Sequence, residues 1–452
     1  MMKVAKFGGS SVADAVQIKK VATIIQADER RRVIIVSAPG KRHDDDVKVT
    51  DLLIALGDSY QQNKPYDTEL SNVIERFQSI VDDLNLSNQA LKQIETNVKE
   101  TFLSEGDLNF KLEAIKAIGE DTLAKILSEY LQSLGMKARY LNPKDAGLIL
   151  SDQPGGAQII EESFEKIYKL RQCQEILIIP GFFGYTSTGK LVTFSRGGSD
   201  ITGSIIAAGV KAELYENFTD VDSVYCVNPS IVKNPKEITS LTYKEMRELS
   251  YAGFSVFHAE ALIPAVRAEI PVCIKNTNNP DGIGTLIVSK KEPQAQDNPV
   301  VGIASDDGFM SLYISKYLMN REIGFGRKLL HILEDEGISY EHTPSGIDDL
   351  SVIMRANQMD EQKEQVVLAR IKSELKPDQV HLERGLALVM IVGEGMQSEV
   401  GTAYIATQAF KDANVNIEMI NQGSSEVSLM FGIKEKSVDD AVRSLYQAFF
   451  EK

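Results

Sequence analysis

The pattern of apolar and polar positions predicts alternating strands and helices over the first two thirds of the chain. A short apolar lead-in, Val4-Ala5, precedes a segment whose apolar residues recur at helical spacing as far as Ile25, and the β-branched run 33–36 follows. Such short apolar runs are typical of buried parallel strands. Further strands are predicted within 138–141, 175–179, 212–225, 270–275 and 284–288. This alternation favours an α/β fold with right-handed crossovers.

Two long stretches depart from this alternation. Residues 61–112 are polar with helical spacing, which predicts a helical excursion over a sheet edge or over the substrate site. Another helix is predicted at 117–130, ended by Gly135 in a left-handed cap. The charged run 41–46 (Lys-Arg-His-Asp-Asp-Asp) is interpreted as a mobile, solvated loop, and 290–299 as a domain linker.

The last third of the chain contains an internal repeat with an offset of 77 residues (401 − 324), which aligns Gly324 with Gly401. The same offset aligns Gly337 with Asn414, the two residue types that most readily take a left-handed helix cap. It also aligns Asp335 with Asp412, Glu341 with Glu418, Gly346 with Gly423, and Ser351 with Ser428. The repeat therefore predicts two copies of one small α+β module.

Composition and charge narrow the class of protein. A chain of 452 residues suggests two to four domains at roughly 100–200 residues each. Its net charge of −15 argues against nonspecific binding to nucleic acid or to an anionic membrane. No apolar run approaches the roughly 20 residues of a membrane span, and the three cysteines are widely spaced. We expect a cytoplasmic protein with no nucleic-acid or membrane partner.

Two glycine-rich turns carry the candidate chemistry. The first, Lys6-Phe7-Gly8-Gly9-Ser10-Ser11, joins a strand to a helix, so its backbone N–H groups and the Lys6 ammonium could hold a phosphate. Taken alone, it could equally be a tight turn, and it lacks the Gly-Lys-Ser/Thr of a Walker P-loop. The second, Arg196-Gly197-Gly198-Ser199-Asp200, also opens a helix. Together the turns predict two anion sites.

These residues suit phosphoryl transfer, in which positioning and charge neutralisation do most of the work. No Ser–His–Asp order and no metal-ligand cluster is apparent in the sequence. A substrate carboxylate is already ionised at neutral pH, so its attack on ATP needs no general base. The remaining barrier is the approach of an anion to a polyanion, which Lys6, Mg²⁺ and backbone amides would lower.

In these motifs the chain resembles the aspartate kinases (aspartokinases) of the amino-acid kinase superfamily. The matching segments are Lys6–Ser11, Ser195–Asp200, Thr219-Asp220-Val221 and Ile274–Leu286, and the resemblance covers essentially the whole chain. It implies a three-layer amino-acid kinase fold, α/β with a mainly parallel central sheet, in residues 1–290. Two ferredoxin-like α+β ACT modules would follow at 300–378 and 384–452. It further implies ATP-dependent phosphorylation of the L-aspartate side chain to 4-phospho-L-aspartate, the committed step to lysine, threonine and methionine.

The resemblance implies a role for each matching residue. Lys6 and Asp200 would be catalytic, Arg196 would grip a carboxylate of aspartate and Glu120 would bind its ammonium group. The substrate residues would be Thr50, Glu120, Phe182, Arg196 and Ser199. The nucleotide residues would be Lys6, Gly8, Gly9, Ser10, Thr219, Asp220, Tyr225 and Lys275. Mg²⁺ would be held mainly through the nucleotide phosphates, with no metal site formed by the protein itself.

The paired modules imply feedback inhibition by an end-product amino acid, with lysine favoured over threonine, and a homodimer or a dimer of dimers. The effector residues would be Met319, Glu322, Gly324, Phe325, Glu341, Ser345 and Asp348. The alternative is that the modules only dimerise the enzyme. A kinase for another acid such as glutamate, and a non-catalytic amino-acid sensor, are the competing functions; the intact Lys6 and Asp200 argue against the sensor.

Two segments depart from the family pattern. Asn228-Pro229-Ser230 stands where the family has Asp-Pro-Arg, which removes an arginine that could contact phosphate. Phe257-His258-Ala259 replaces Leu-His-Pro, and we expect this change to affect only a turn.

Overall fold

The computed structural model describes residues 2–195, 197–254, 259–291, 298–423 and 425–451, and these form two compact units. One unit takes in the described parts of Met1–Val224, Glu237–Tyr243 and Val256–Lys291. The other takes in those of Tyr225–Lys236, Lys244–Ser255 and Glu292–Lys452. Within the described ranges, no helix is both long enough and apolar enough to cross a membrane.

Strands and helices alternate along the chain, apart from one run of four helices. From the amino terminus they are β1 (Lys3–Phe7), α1 (Ala15–Ala27), β2 (Arg31–Val36), α2 (Val49–Gln61), α3 (Asp67–Asp83), α4 (Gln89–Leu103), α5 (Leu108–Ser133), β3 (Ala138–Tyr140), α6 (Pro143–Ala146), β4 (Ile149–Leu150), α7 (Ser163–Tyr168), β5 (Ile176–Pro180), β6 (Phe183–Thr186), β7 (Leu191–Thr193), α8 (Gly198–Gly209) and β8 (Leu214–Thr219). There follow β9 (Val224–Tyr225), β10 (Glu237–Ile238), β11 (Ser240–Thr242), α9 (Tyr243–Tyr251), α10 (Ile263–Arg267), β12 (Val272–Asn276) and β13 (Thr285–Val288). The last third contains β14 (Gly302–Ser315), α11 (Phe325–Asp335), β15 (Asp349–Arg355), α12 (Glu361–Glu374), β16 (Gln379–Val392), α13 (Thr402–Asp412), β17 (Met419–Gln422), β18 (Ser428–Lys434) and α14 (Val438–Phe450).

An eight-stranded, mainly parallel sheet forms the centre of the first unit. Its order is β11-β13-β12-β8-β1-β2-β5-β3, and the pair β12–β13 is antiparallel whereas the other neighbours are parallel. Residues 33–36 of β2 are fully buried, which explains why that strand is a continuous apolar run. The α/β sheet expected from the sequence is therefore confirmed.

The carboxyl ends of the central strands place four loops at one edge of this sheet. Strands β1, β2, β5 and β8 are parallel neighbours, and their carboxyl ends lead into loops at 8–11, 37–48, 181–182 and 220–223. Open α/β sheets bind their ligands at this edge. The chain's motifs are thus gathered by sheet order, not by closeness in sequence.

Residues 49–133 form the four consecutive helices α2 to α5, as the polar helical pattern predicted. Helix α5 begins at Leu108 and not near residue 117, because the side chain of Asp107 caps it by accepting the N–H of Asn109 at 2.7 Å. It ends before Gly135, which takes φ +80°, as expected for a left-handed cap. The four helices pack into one apolar core with α1 and the inner strands.

The carboxyl-terminal repeats build a five-stranded antiparallel sheet in the order β15-β14-β16-β18-β17. Both repeats share its two long strands: 302–306 of β14 pairs with 388–392 of β16, and 309–315 pairs with 379–386. Gly337 and Asn414 follow α11 and α13 with φ of +66° and +54°, which confirms the caps predicted from the repeat.

Two segments from within the first 290 residues belong to the same unit as the repeats. One is 225–236, and the other contains most of α9. Glu245 accepts the N–H of Glu394 at 3.0 Å, Glu248 accepts the hydroxyl of Ser428 at 2.9 Å, and Tyr251 donates to Glu341. Three-residue spacing places the three α9 side chains on one helix face. This face of α9 therefore fixes the helix to the repeat sheet.

Candidate active site

A buried ion pair lies at the centre of the candidate site. Lys6 Nζ is 2.6 Å from Asp200 Oδ1, and the two side chains are 8% and 19% exposed. Asn217 Nδ2 donates to the same oxygen at 2.7 Å. Lys6 on β1 and Asn217 on β8 are register partners in neighbouring strands, so their side chains lie on the same face. The pair fixes a primary ammonium beside the edge of the sheet where the loops meet.

The first glycine turn is held by close backbone contacts. Gly40 donates its N–H to the carbonyl of Gly9 at 2.8 Å, and a Cβ on Gly40 would lie 2.6 Å from the Gly9 carbonyl carbon. Residues 10–12 form a short 3₁₀ turn, and α1 begins only at Ala15, with Asp14 as its N-cap. The loop after β2 therefore packs directly on the Gly-Gly turn, where no side chain would fit.

The second glycine turn packs against the loop after β5. Gly197 takes φ +80° as the N-cap of α8, and a Cβ on Gly198 would lie 2.6 Å from the ring of Phe182. Phe182 itself has φ +75°, a conformation that is rare for a bulky residue and is characteristic of functional sites. Its N–H is held by the hydroxyl of Thr202 at 3.0 Å. This packing fixes both loops at the site.

Glu120 presents an unusual buried carboxylate. It is 5% exposed in the middle of α5, and its Oε2 has no hydrogen-bond partner among the described residues. Burial raises its pKa to about 8, although a hydrogen bond to the backbone of Ala38 and the charge on Lys6 act in the opposite direction. A buried carboxylate with a free oxygen is poised to receive a cationic ligand group.

These elements enclose one cavity of about 720 Å³. Its lining comprises Gly9, Ser10, Ser37, Ala38, Pro39, Gly40, Lys41, Arg42, His43, Asp44, Lys48, Thr50, Glu120, Phe182, Ser195, Gly197, Gly198, Ser199, Asp200 and Asp220. Both glycine turns, the buried side chain of Glu120 and several cations thus face a single space. The cavity is large enough for a small substrate together with phosphate groups.

The structure brings together most of the residues predicted for this site. Eight of the predicted site residues line the cavity directly: Gly9, Ser10, Thr50, Glu120, Phe182, Ser199, Asp200 and Asp220. Lys6 reaches it through Asp200, Gly8 is part of the first turn, and Thr219 donates its hydroxyl to Asp220 at 3.1 Å. Lys275 lies on β12 beside Phe218, and Tyr225 falls in the other compact unit. Arg196, like Phe257 and His258, lies outside the described residues.

Sequence reasoning missed two parts of the site. Asn217 was within a predicted strand, and its only signal was a polar residue in an apolar run two positions before Thr219. Residues 41–44 of the charged run are exposed, as predicted, but their position in the lining of the cavity, together with Lys48, was not expected. The signal that could have identified them is their position directly after Pro39-Gly40, at the carboxyl end of β2.

The predicted effector residues of the second unit fall into two groups, which differ in the contacts they make. Asp348 accepts the N–H of Leu318 at 2.8 Å, and Glu322 pairs with Lys316 at 2.6 Å and with Lys328 at 2.8 Å. Met319, Gly324 and Phe325 belong to the same turn and to the start of α11. Ser345 forms an isolated bridge with Leu350. Glu341 differs, because its carboxylate is bound by Tyr251 and lies 3.8 Å from Arg355.

Two protein-family models match the chain. Residues 1–276 match the amino acid kinase family, and residues 389–449 match the ACT domain. The chain therefore belongs to the amino acid kinase family, as its glycine turns and parallel sheet predicted. The boundaries 1–290, 300–378 and 384–452 remain predictions.

Individual relatives narrow the class. Aspartokinase 3 of Bacillus subtilis (strain 168) is 55% identical over 99% of both chains. The aspartate kinase of Clostridium acetobutylicum superposes with a TM-score of 0.88 at 39% identity, covering 99% of this chain and all of that one. Within the amino acid kinases, the chain is thus an aspartokinase. Escherichia coli aspartokinase III, solved with aspartate and ADP, shares the fold at 23% identity and a TM-score of 0.76 over the full length of both.

Proposed function

We propose that the enzyme transfers the γ-phosphoryl group of ATP to the side-chain carboxylate of L-aspartate, yielding 4-phospho-L-aspartate and ADP. The observation that carries the proposal is the presence, in one cavity, of the buried Glu120, whose Oε2 has no hydrogen-bond partner among the described residues, together with two glycine turns and the Lys6–Asp200 pair. The carboxylate suits a substrate ammonium, whereas the turns suit anions.

Substrate recognition depends on complementary charges. The ammonium of aspartate would pair with the ionised form of Glu120. In the free site Glu120 is largely protonated at neutral pH, because burial raises its pKa to about 8, so binding would release that proton. Ser199 and Thr50 add hydroxyls to the cavity wall, and Phe182 adds an aromatic surface. Arg196 is the residue we propose for one substrate carboxylate, since guanidinium groups bind carboxylates bidentately.

Transfer requires little covalent chemistry from the protein. A carboxylate oxygen of aspartate attacks the γ-phosphorus, the bond from that phosphorus to the bridging oxygen breaks, and ADP leaves with the electron pair. Lys6 would neutralise charge on the phosphoryl group in transit, and Asp200 with Asn217 holds its ammonium in position. In this proposal Asp200 positions Lys6 and does not serve as a general base, because the attacking carboxylate is already ionised.

The nucleotide would lie with its phosphates over the first glycine turn. Gly9 and Ser10 would offer backbone N–H groups there, whereas Gly8 holds the turn to β8 by donating its N–H to the carbonyl of Phe218 at 3.0 Å. Thr219 ends β8, and Asp220 follows it. We propose Mg²⁺ as the accompanying ion, held mainly by the nucleotide phosphates. Mg²⁺ usually takes one or two protein carboxylates besides phosphate oxygens, and Asp44 and Asp220 are the cavity residues that would serve. The ion would supply further neutralisation of phosphate charge.

The direct experiment measures ADP release with L-aspartate and with L-glutamate as acceptor. We expect turnover with aspartate, and a fall in kcat of about 100-fold or more in Lys6→Met, because a preorganised charge at the transferring group is lost. Lys3→Met is the matched control: Lys3 is also on β1, but it pairs with Asp28 at 2.9 Å outside the cavity. Turnover with glutamate but not with aspartate would overturn the proposed substrate. Equal losses of kcat in Lys6→Met and Lys3→Met would overturn the proposed role of Lys6.

For regulation, we propose that lysine binds the repeat unit near the turn that contains Met319 and Glu322 and that is hydrogen-bonded to Asp348, and that the unit also forms the subunit contact. Supporting observations are the exposed apolar side chains Ile323 (96% exposed) and Val400 (97% exposed) at the starts of corresponding helices. Apolar surface of this kind favours association. Light scattering with and without lysine tests this proposal: a monomer under both conditions would contradict it.

A further inference from the structure

Three charged side chains, Arg42, Asp46 and Arg76, form a cluster at the cavity wall. Asp46 accepts both Nε and Nη2 of Arg42, at 2.8 and 2.9 Å, and also lies 3.4 Å from Nη2 of Arg76. The same Arg76 nitrogen donates to the carbonyl of Gly40 at 2.8 Å. One carboxylate therefore serves two guanidinium groups. Asp14 also acts electrostatically on both arginines, but its side chain is engaged as the N-cap of α1.

The two arginines occupy different environments. Arg76 is 5% exposed on α3, and its Nε and Nη1 have no hydrogen-bond partner in the part of the chain that the structure describes. Arg42 is 39% exposed in its side chain and lines the cavity, whereas neither Asp46 nor Arg76 does. Arg42 is thus the member of the cluster that faces an incoming ligand.

We propose that Arg42 is a phosphate-binding residue, which exchanges Asp46 for the phosphates of the bound nucleotide. This inference rests on the proposed function. The loop that contains Arg42 is attached to the phosphate turn, because Gly40, two residues earlier, donates to the carbonyl of Gly9.

The exchange leaves no buried charge without a partner. When Arg42 turns to the phosphates, Asp46 keeps Arg76, which has two unengaged nitrogens to offer it. A buried charge that lost its only partner would strongly destabilise the protein. Because Asp46 keeps Arg76, that cost is avoided here. In a protein of net charge −15, a polyanionic ligand depends on such local cations.

The test measures binding of the Mg²⁺ complex of a non-hydrolysable ATP analogue by calorimetry, without aspartate. We expect Arg42→Gln to weaken binding about 10-fold to 100-fold, the range for a lost charge-assisted hydrogen bond, and Arg42→Lys to recover part of it. Asp46→Asn, which frees Arg42, should bind within about threefold of the wild type. Arg30→Gln is the matched control: Arg30 also pairs with an aspartate, at 2.8 Å, but outside the cavity.

Three results would overturn the proposal. Unchanged nucleotide affinity in Arg42→Gln would exclude the contact. Equal losses of nucleotide affinity in Arg42→Gln and Asp46→Asn would show that Arg42 only supports the loop. A rise in the KM for aspartate alone would assign Arg42 to the substrate instead. Since binding is measured without acceptor, failure here is separable from failure of wild-type turnover with aspartate, which would refute the proposed function.

Discussion

The buried carboxylate of Glu120 makes aspartate binding depend on pH. In the free site its pKa is about 8, because burial disfavours the charged form. A bound ammonium stabilises the carboxylate, so binding below pH 8 must release a proton from Glu120. The affinity for aspartate should therefore rise with pH towards 8 and level off above it.

The magnitude follows from linkage. If only the ionised form binds aspartate, the apparent dissociation constant is proportional to one plus the ratio of protonated to ionised Glu120. For a pKa of about 8 this makes it about 15-fold larger at pH 6.5 than at pH 8. The KM for aspartate between pH 6 and 9, at saturating Mg²⁺–ATP, is the measurement.

Two variants isolate this effect. Glu120→Gln should bind aspartate about 10-fold to 100-fold more weakly at pH 8 and should lose most of the pH dependence, because its side chain cannot ionise. His43 also lines the cavity, so His43→Gln is the control and must keep the dependence. A KM for aspartate that does not vary between pH 6.5 and 8 in the wild type would refute the reasoning.

Glu120→Gln should weaken aspartate binding but should make the free enzyme more stable at pH 8. A carboxyl group whose pKa is raised from 4.5 to about 8 holds a proton in the folded state that the unfolded state has lost. Stability without ligand therefore falls as pH rises from about 4.5 to 8, by at most roughly 4 kcal/mol for this group. Glu120→Gln should raise the melting temperature of the free enzyme at pH 8 and leave it nearly unchanged at pH 4.5.

Two further substitutions test the packing around the site and the sheet. Gly40→Ala should lower kcat/KM for ATP about tenfold or more, because its Cβ would meet the backbone of the phosphate turn at 2.6 Å, whereas Gly156→Ala, with no neighbour within 4 Å, should not change it. Arg31→Met should destabilise the protein by about 3–5 kcal/mol in denaturant titrations, since it leaves the 2%-exposed Glu216 with only its longer, 3.4 Å contact to Lys3. The exposed Arg30→Met should have a much smaller effect, and a reversed order would contradict this account.

Much of the fold was predictable because local rules agreed with the tertiary structure. The strand before Gly8-Gly9 and the left-handed caps at Gly337 and Asn414 depend on residues whose conformational preferences are strong. The helical region after α2 was visible as polar helical spacing. The start of α5 was missed by about nine residues, because Asp107 was not recognised as its N-cap.

Parts of the candidate site were not predictable, because they depend on contacts between distant segments. The role of the 41–46 run depends on Gly40 meeting Gly9 and on a buried arginine of α3, and a charged run alone looks the same on any surface. Asn217 joins the site through strand register. Glu341 stays a predicted effector residue, and its hydrogen bond with Tyr251, which is 90 residues earlier in the chain, could not be read from the sequence.

The central claim is that the side-chain carboxylate of aspartate receives the phosphoryl group. The most direct measurement traps the product with hydroxylamine and identifies the hydroxamate by mass spectrometry, using wild type and Lys6→Met with Mg²⁺–ATP. We predict the side-chain (β) hydroxamate of aspartate in the wild type and a loss of about 100-fold or more in the variant. Hydroxamate formed at the α-carboxyl group, or from glutamate but not aspartate, would contradict the account.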